Sequence, residues 1–110
     1  MSYSILSTQR FSKELKRLIK KFPSLKNEFS ALIDNLNTNP ESGTFISNNC
    51  YKIRLSIHSK GKGKRGGARV ITHVYLKAKT IYLLTIYDKS EKSDLKPNEL
   101  VQIIESLDLS

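Results

Sequence analysis

Residues 51–58 read Tyr51-Lys52-Ile53-Arg54-Leu55-Ser56-Ile57-His58, and the alternation in this stretch decides the fold. Apolar side chains at every second position predict a strand with one buried and one polar face. The residues before it keep a different period. Phe11, Leu15, Leu18, Ile19 and Phe22 form one apolar stripe at helical spacing, with Lys13, Lys16, Arg17, Lys20 and Lys21 on the opposite face. Pro23 stops that helix, and Ser24 reads as the N-cap of a second. Leu25, Phe29, Leu32, Ile33 and Leu36 repeat the same offsets up to Asn39-Pro40. Two helices joined by so short a turn predict an antiparallel helical hairpin. Ahead of them, Ser2-Tyr3-Ser4-Ile5-Leu6 alternates briefly, as a first or edge strand does.

The residues after the deciding stretch continue the sheet. Glu41 to Asn49 reads as a polar connection. Ala68 to Leu76 is rich in β-branched and aromatic residues, and Lys77-Ala78-Lys79 makes a tight connection to Thr80–Tyr87. That last strand is apolar on both faces, which predicts a central place in the sheet. Pro97 suits the first turn of a final helix striped by Leu100, Ile103, Ile104 and Leu107. The expected fold class is α+β: one small domain over residues 1–110, with an N-terminal strand and helical hairpin packed on a twisted, mainly antiparallel sheet, and a C-terminal helix.

Charge is distributed far less evenly than hydrophobicity. Between Ser42 and Tyr87 there are nine Lys or Arg residues and no Asp or Glu, while the flanks carry ten cations and ten carboxylates. The middle therefore supplies the whole net charge of +9. Lys60-Gly61-Lys62-Gly63-Lys64-Arg65-Gly66-Gly67-Ala68-Arg69 alone sets five cations among four glycines. Concentrating charge costs self-repulsion, which a polyanionic partner offsets, and nucleic acid is the first such partner to consider. If the strands holding residues 52 and 69 are hairpin neighbours, Lys52, Arg54 and His58 align with Arg69, His73 and Tyr75 into one cationic patch fixed by backbone. A solvated strand face is the bland alternative. It is weakened by the lack of carboxylates nearby in sequence, because ordinary surfaces mix signs.

Other chemistries find less support. Gly61 to Gly66 spells G-x-G-x-x-G, but a dinucleotide fingerprint must open a helix, and here a strand follows. Gly67 stands where a Walker loop requires lysine. The segment reads instead as a hairpin loop whose Lys60, Lys62, Lys64 and Arg65 hold a phosphate backbone. His58 and His73 have no carboxylate or thiolate nearby in sequence to complete a metal site, and His73 reads as a half-buried polar filler. Asp88, Glu91 and Asp94 match no calcium loop. They are expected to cap the final helix or to pair with neighbouring cations. No helix-turn-helix pattern with a basic recognition helix is present. The lone Cys50, the lack of an apolar leader-like run and the lack of a membrane-length apolar stretch lead us to expect a cytoplasmic protein without a membrane partner.

Three segments together carry a family resemblance: Cys50-Tyr51-Lys52-Ile53-Arg54-Leu55, the basic glycine run continuing through Arg69-Val70-Ile71, and Tyr82-Leu83-Leu84-Thr85-Ile86-Tyr87-Asp88-Lys89-Ser90-Glu91. They resemble the RelE/ParE toxin superfamily, most of all its HigB-type and RelE-type branch, over nearly the whole chain. The resemblance implies a toxin of a bacterial type II toxin–antitoxin system. Such a toxin enters the ribosomal A site and cuts mRNA without metal or other cofactor, by attack of the ribose 2′-hydroxyl on the adjacent phosphate. Its partners are the ribosome, mRNA and a cognate antitoxin. Carried over by position, the resemblance implies catalytic roles for Lys52, Arg54, Arg69, Lys89 and Tyr87. Lys52 and Arg54 match basic residues of the corresponding strand, and Arg69 matches the phosphate-holding arginine. Lys89 falls where an arginine is common, Leu95 stands at about the position of a family tyrosine, and Tyr87 is placed to stack on a base. The competing reading is a non-catalytic binder on the same fold, either gyrase-inhibitor-like or an RNA- or ribosome-binding module.

Overall fold

The computed structural model describes residues 3–61 and 66–107. In chain order the elements are β1 (Ser4–Ser7), α1 (Gln9–Lys21), α2 (Leu25–Thr38), β2 (Thr44–Ser47), β3 (Cys50–Leu55), β4 (Ala68–Tyr75), β5 (Thr80–Asp88) and α3 (Pro97–Glu105). The five strands make one sheet in the order β1-β5-β4-β3-β2. The β1–β5 pair is parallel and the other three pairs are antiparallel. This is the expected α+β architecture, and β5 is an interior strand as its two apolar faces require.

Two apolar clusters sandwich the sheet. On one face Phe11 and Leu18 of α1 and Leu25, Leu32 and Leu36 of α2 pack on Ile53, Val70, Ile81, Leu83 and Ile86. On the other, Leu100 and Ile103 of α3 pack with Cys50, Ile71, Leu84 and Tyr87. Because β4 serves both layers, every residue from Ala68 to Val74 is buried. Thr8 fixes the start of α1: its hydroxyl accepts from the Phe11 amide at 3.0 Å and donates to the Leu84 carbonyl at 2.9 Å. One side chain thus satisfies a helix end and a strand carbonyl together. No helix among the described residues is long and apolar enough to cross a membrane.

Four details differ from the sequence reading. The polar connection contains a strand, β2, which turns into β3 through Asn48 and Asn49, both at positive φ. Two such residues are what a type I′ hairpin turn demands, and Asn tolerates that conformation better than most residues. Ser24 stands at the N-cap position of α2 as expected, but its backbone is αR and its side chain makes no capping bond; its hydroxyl donates to the Glu28 carboxylate and accepts from the Ser59 amide. β3 ends at Leu55, so His58 lies in a short 3₁₀ turn and not on the strand face with Lys52 and Arg54. Finally, β5 carries one extra residue: Ile71 pairs with Thr85 and Thr72 with Leu83, leaving Leu84 as a bulge. The bulge shifts the alternation, so that Leu84 and Tyr87 both join the α3-side cluster.

Candidate functional site

Register places the cations. Arg54 of β3 stands opposite Arg69 of β4, and Arg69 stands opposite Tyr87 of β5. Directly opposed residues point to the same face with strands roughly 4.7–4.9 Å apart, so the three side chains form a row across the sheet on the α3 side. Lys52, two residues before Arg54, shares that face. Glycine makes the row possible at its loop end, because a Cβ at Gly67 would collide with the Leu55 carbonyl of the neighbouring strand. Arg54 is exposed, whereas Arg69 is 5% exposed and its guanidinium donates to the Ala68 carbonyl at 3.2 Å.

Among the described residues one carboxylate, Asp94, bonds to members of this row. Asp94 Oδ1 accepts from Lys52 Nζ at 2.8 Å, from the Leu95 amide at 2.8 Å and from the Tyr87 hydroxyl at 3.3 Å. The Lys52 hydrogen bond is the main reason the Asp94 carboxyl lies below its ordinary range. Burial first, then the Asp94 charge and hydrogen bond, push the Tyr87 phenol up to about 12, against the opposing pull of Arg69. Tyr87 is therefore a neutral hydrogen-bond donor near pH 7.

The remaining sequence-level candidates are dispersed. Lys89 Nζ donates to the Ser93 carbonyl of its own loop at 3.0 Å. Lys60, grouped by sequence with the phosphate-holding loop, is sequestered: its ammonium meets Asp88, donates to Ser90 Oγ at 3.0 Å and lies 5.2 Å from the centre of the Phe22 ring. Burial pushes the Asp88 carboxyl up, but hydrogen bonds from Lys60 and Ser90 outweigh it and hold the group below its ordinary value. Lys62, Lys64 and Arg65 lie outside the described residues. His73 is buried, 3.4 Å from Cys50 Sγ through Nδ1, and burial pushes its pKa down while that of Cys50 rises to about 12. Both are neutral packing groups. Leu95 is half-buried against the α3 cluster.

The cation-rich middle of the chain does meet carboxylates once folded, at Lys52 and Lys60, contrary to the expectation from its neighbours in sequence. Asp88, Glu91 and Asp94 reach Lys60, the Arg17 and Lys21 pair, and Lys52, respectively. None of the three caps α3, whose amide at Lys96 donates instead to Glu99. Their spacing of three residues carried no recognisable motif. The signal that could have found Asp94 was only its position, shortly after a strand neighbouring β4.

No protein-family model matches the chain. Among solved structures, the free-state E. coli toxin RelE with two arginines replaced by alanine is 15% identical, with a TM-score of 0.64 over 96% of this chain and 98% of that one. The isolated E. coli RelE toxin is 14% identical, with a TM-score of 0.53 over 96% and 99%. A metal-bound toxin from Helicobacter pylori is 19% identical, with a TM-score of 0.51 over 82% and 98%. The chain has the RelE-like fold. Among the described residues, no cluster of three or more His, Cys, Asp or Glu side chains could hold a metal ion.

Proposed function

We propose that this chain is the toxin of a toxin–antitoxin pair and acts as a ribosome-dependent, metal-independent mRNA endonuclease. The observation that carries this reading is the in-register row of Arg54, Arg69 and Tyr87 with Lys52 beside it. In the proposed reaction the ribose 2′-oxygen bonds to the adjacent phosphorus and the bond to the 5′-oxygen breaks, leaving a 2′,3′-cyclic phosphate and a 5′-hydroxyl. The 2′-hydroxyl loses its proton and the departing 5′-oxygen gains one. Negative charge grows on the non-bridging oxygens, where a guanidinium fork and a neutral phenol donor stabilise it most. Arg54 and Arg69 supply the charge, Lys52 assists proton movement and Tyr87 donates a hydrogen bond. Lys89 joins them once it leaves the Ser93 carbonyl. The partners are the ribosome with its mRNA and an acidic antitoxin that covers the row.

Primer-extension mapping in a translating extract tests the reading. Discrete mRNA ends inside codons are expected with the protein and absent without it. Ribosome binding that leaves the mRNA whole overturns the nuclease. The second reading, a non-catalytic binder on the same fold, then takes its place; the packing of Leu95 into the α3 cluster, where the resemblance expects a tyrosine, is the observation that favours it. Co-expression with small neighbouring reading frames is expected to restore growth and yield a co-purifying complex. Failure of every neighbour to bind removes the antitoxin from the proposal.

A further inference from the structure

Three donors converge on a single anionic oxygen at the Tyr87 end of the row: the Lys52 ammonium, the Tyr87 hydroxyl and the Leu95 amide all reach Asp94 Oδ1. Such convergence is what a site for a phosphate oxygen requires. Here the protein's own carboxylate fills it. We infer that the segment from Asp88 to Lys96 is an autoinhibitory strap, in which the Asp94 carboxylate occupies the place of an RNA phosphate and must be displaced before RNA can bind. This inference rests on reading the row as a phosphate site.

The strap is tied down on both sides of Asp94. Upstream, Glu91 pairs with Arg17 at 2.7 Å and with Lys21 at 3.3 Å. Lys92, also upstream, pairs with Glu99 at 2.6 Å, and downstream the Lys96 amide donates to the same carboxylate group at 3.1 Å. Tethering gives Asp94 an effective concentration of roughly millimolar order at the row, so a lone anion in dilute solution displaces it poorly. The contact is nevertheless easy to open. The Asp94 side chain is 62% exposed, and an exposed ion pair holds weakly. A phosphodiester carries the same single negative charge, so the exchange is electroneutral at Lys52. RNA gains the advantage because its neighbouring phosphates reach Arg54 at the same time. Arg69, at 5% exposure, also becomes more accessible only when a neighbour moves.

Binding of a 2′-O-methylated, uncleavable single-stranded oligonucleotide, followed by fluorescence anisotropy at fixed salt, tests the strap. Asp94→Asn removes the charge and keeps the shape, and about fivefold tighter binding is expected, the upper range for an exposed pair. Glu105→Gln removes the same charge from an exposed position on α3 and is expected to change affinity less than about twofold, on the same scale. In a Lys52→Ala background the Asp94→Asn gain is expected to vanish. Unchanged or weaker binding by Asp94→Asn overturns the strap. The phosphate reading survives that result if wild type binds and Lys52→Ala or Arg54→Ala weakens it. An equal gain from Glu105→Gln also overturns the strap, since the effect is then bulk charge. No binding by either wild type or Asp94→Asn overturns both. Thermal melts of each variant establish that it is folded.

Discussion

The two faces of the sheet share one alternating pattern and end in opposite states. One is sealed by α1 and α2, of 13 and 14 residues, and its lining is apolar throughout the cluster. Among the described residues the only helix on the other is α3, of nine residues. A helix of that length spans roughly 14 Å, about half the length of β5, whose nine residues rise roughly 30 Å. Beyond the end of α3 Arg54, Arg69 and Tyr87 line up, and the segment from Asp88 to Lys96 lies there in place of a helix. A short covering element therefore leaves room for chemistry that a long one excludes.

The two faces differ most sharply at Lys60, which is buried at the edge of the sealed one. Lys60→Ala leaves the buried Asp88 carboxylate without its cation, held only by Ser90, and is expected to lower the unfolding free energy by about 3 kcal/mol, measured by denaturant titration. The same pair gives an acid dependence. Asp88 titrates lower in the folded protein than its ordinary 3.8, so its contribution is present above that value. It fades as pH falls through the folded value, because protons then bind the unfolded chain preferentially. Wild type is expected to lose this increment in acid.

On the open face the expected loss is kinetic. Arg69→Ala is expected to slow single-turnover mRNA cleavage by about a hundredfold or more while ribosome association persists, because charge on the phosphate grows in the transition state. Arg69→Lys recovers only part, since an ammonium cannot fork. Equal losses of binding and rate would assign Arg69 to docking alone. A smaller effect is expected from neutralising Lys62, Lys64 and Arg65 together: the log–log salt slope of ribosome binding falls by roughly one unit for each phosphate that is no longer neutralised. An unchanged slope removes these three from the interface. The smallest effect is expected from Leu95→Tyr and Lys89→Arg, which install the residues the sequence resemblance expects there; on the proposed reading each raises the cleavage rate a few-fold. No gain from either detaches those positions from the reaction.

Much of the architecture was legible because it depends on local periodicity. The helical stripes of α1 and α2, the alternation of β3, the two-sided apolarity of β5 and Pro97 at the start of α3 each announce an element without reference to any other residue. β2 escaped because four residues carry too little pattern, and Asn48-Asn49 is a weaker turn signal than Asn-Gly. The row was half legible. Arg54 and Arg69 follow from treating β3 and β4 as neighbours, whereas the place of Tyr87 depends on the bulge at Leu84, which no local pattern marks.

The element order, the apolar stripes and the crowding of cations between Ser42 and Tyr87 are properties of neighbours along the chain, and so are readable from residue order alone. Which cations are shared with carboxylates depends on the folded arrangement. Lys60, Lys52, Arg17 and Lys21 meet acids that end or follow β5 and lie 28 to 74 residues further along the chain. Coulomb attraction acts through space, so charge balance is settled by which strands lie side by side and where a bulge turns a side chain, and neither is written in the spacing of the charges.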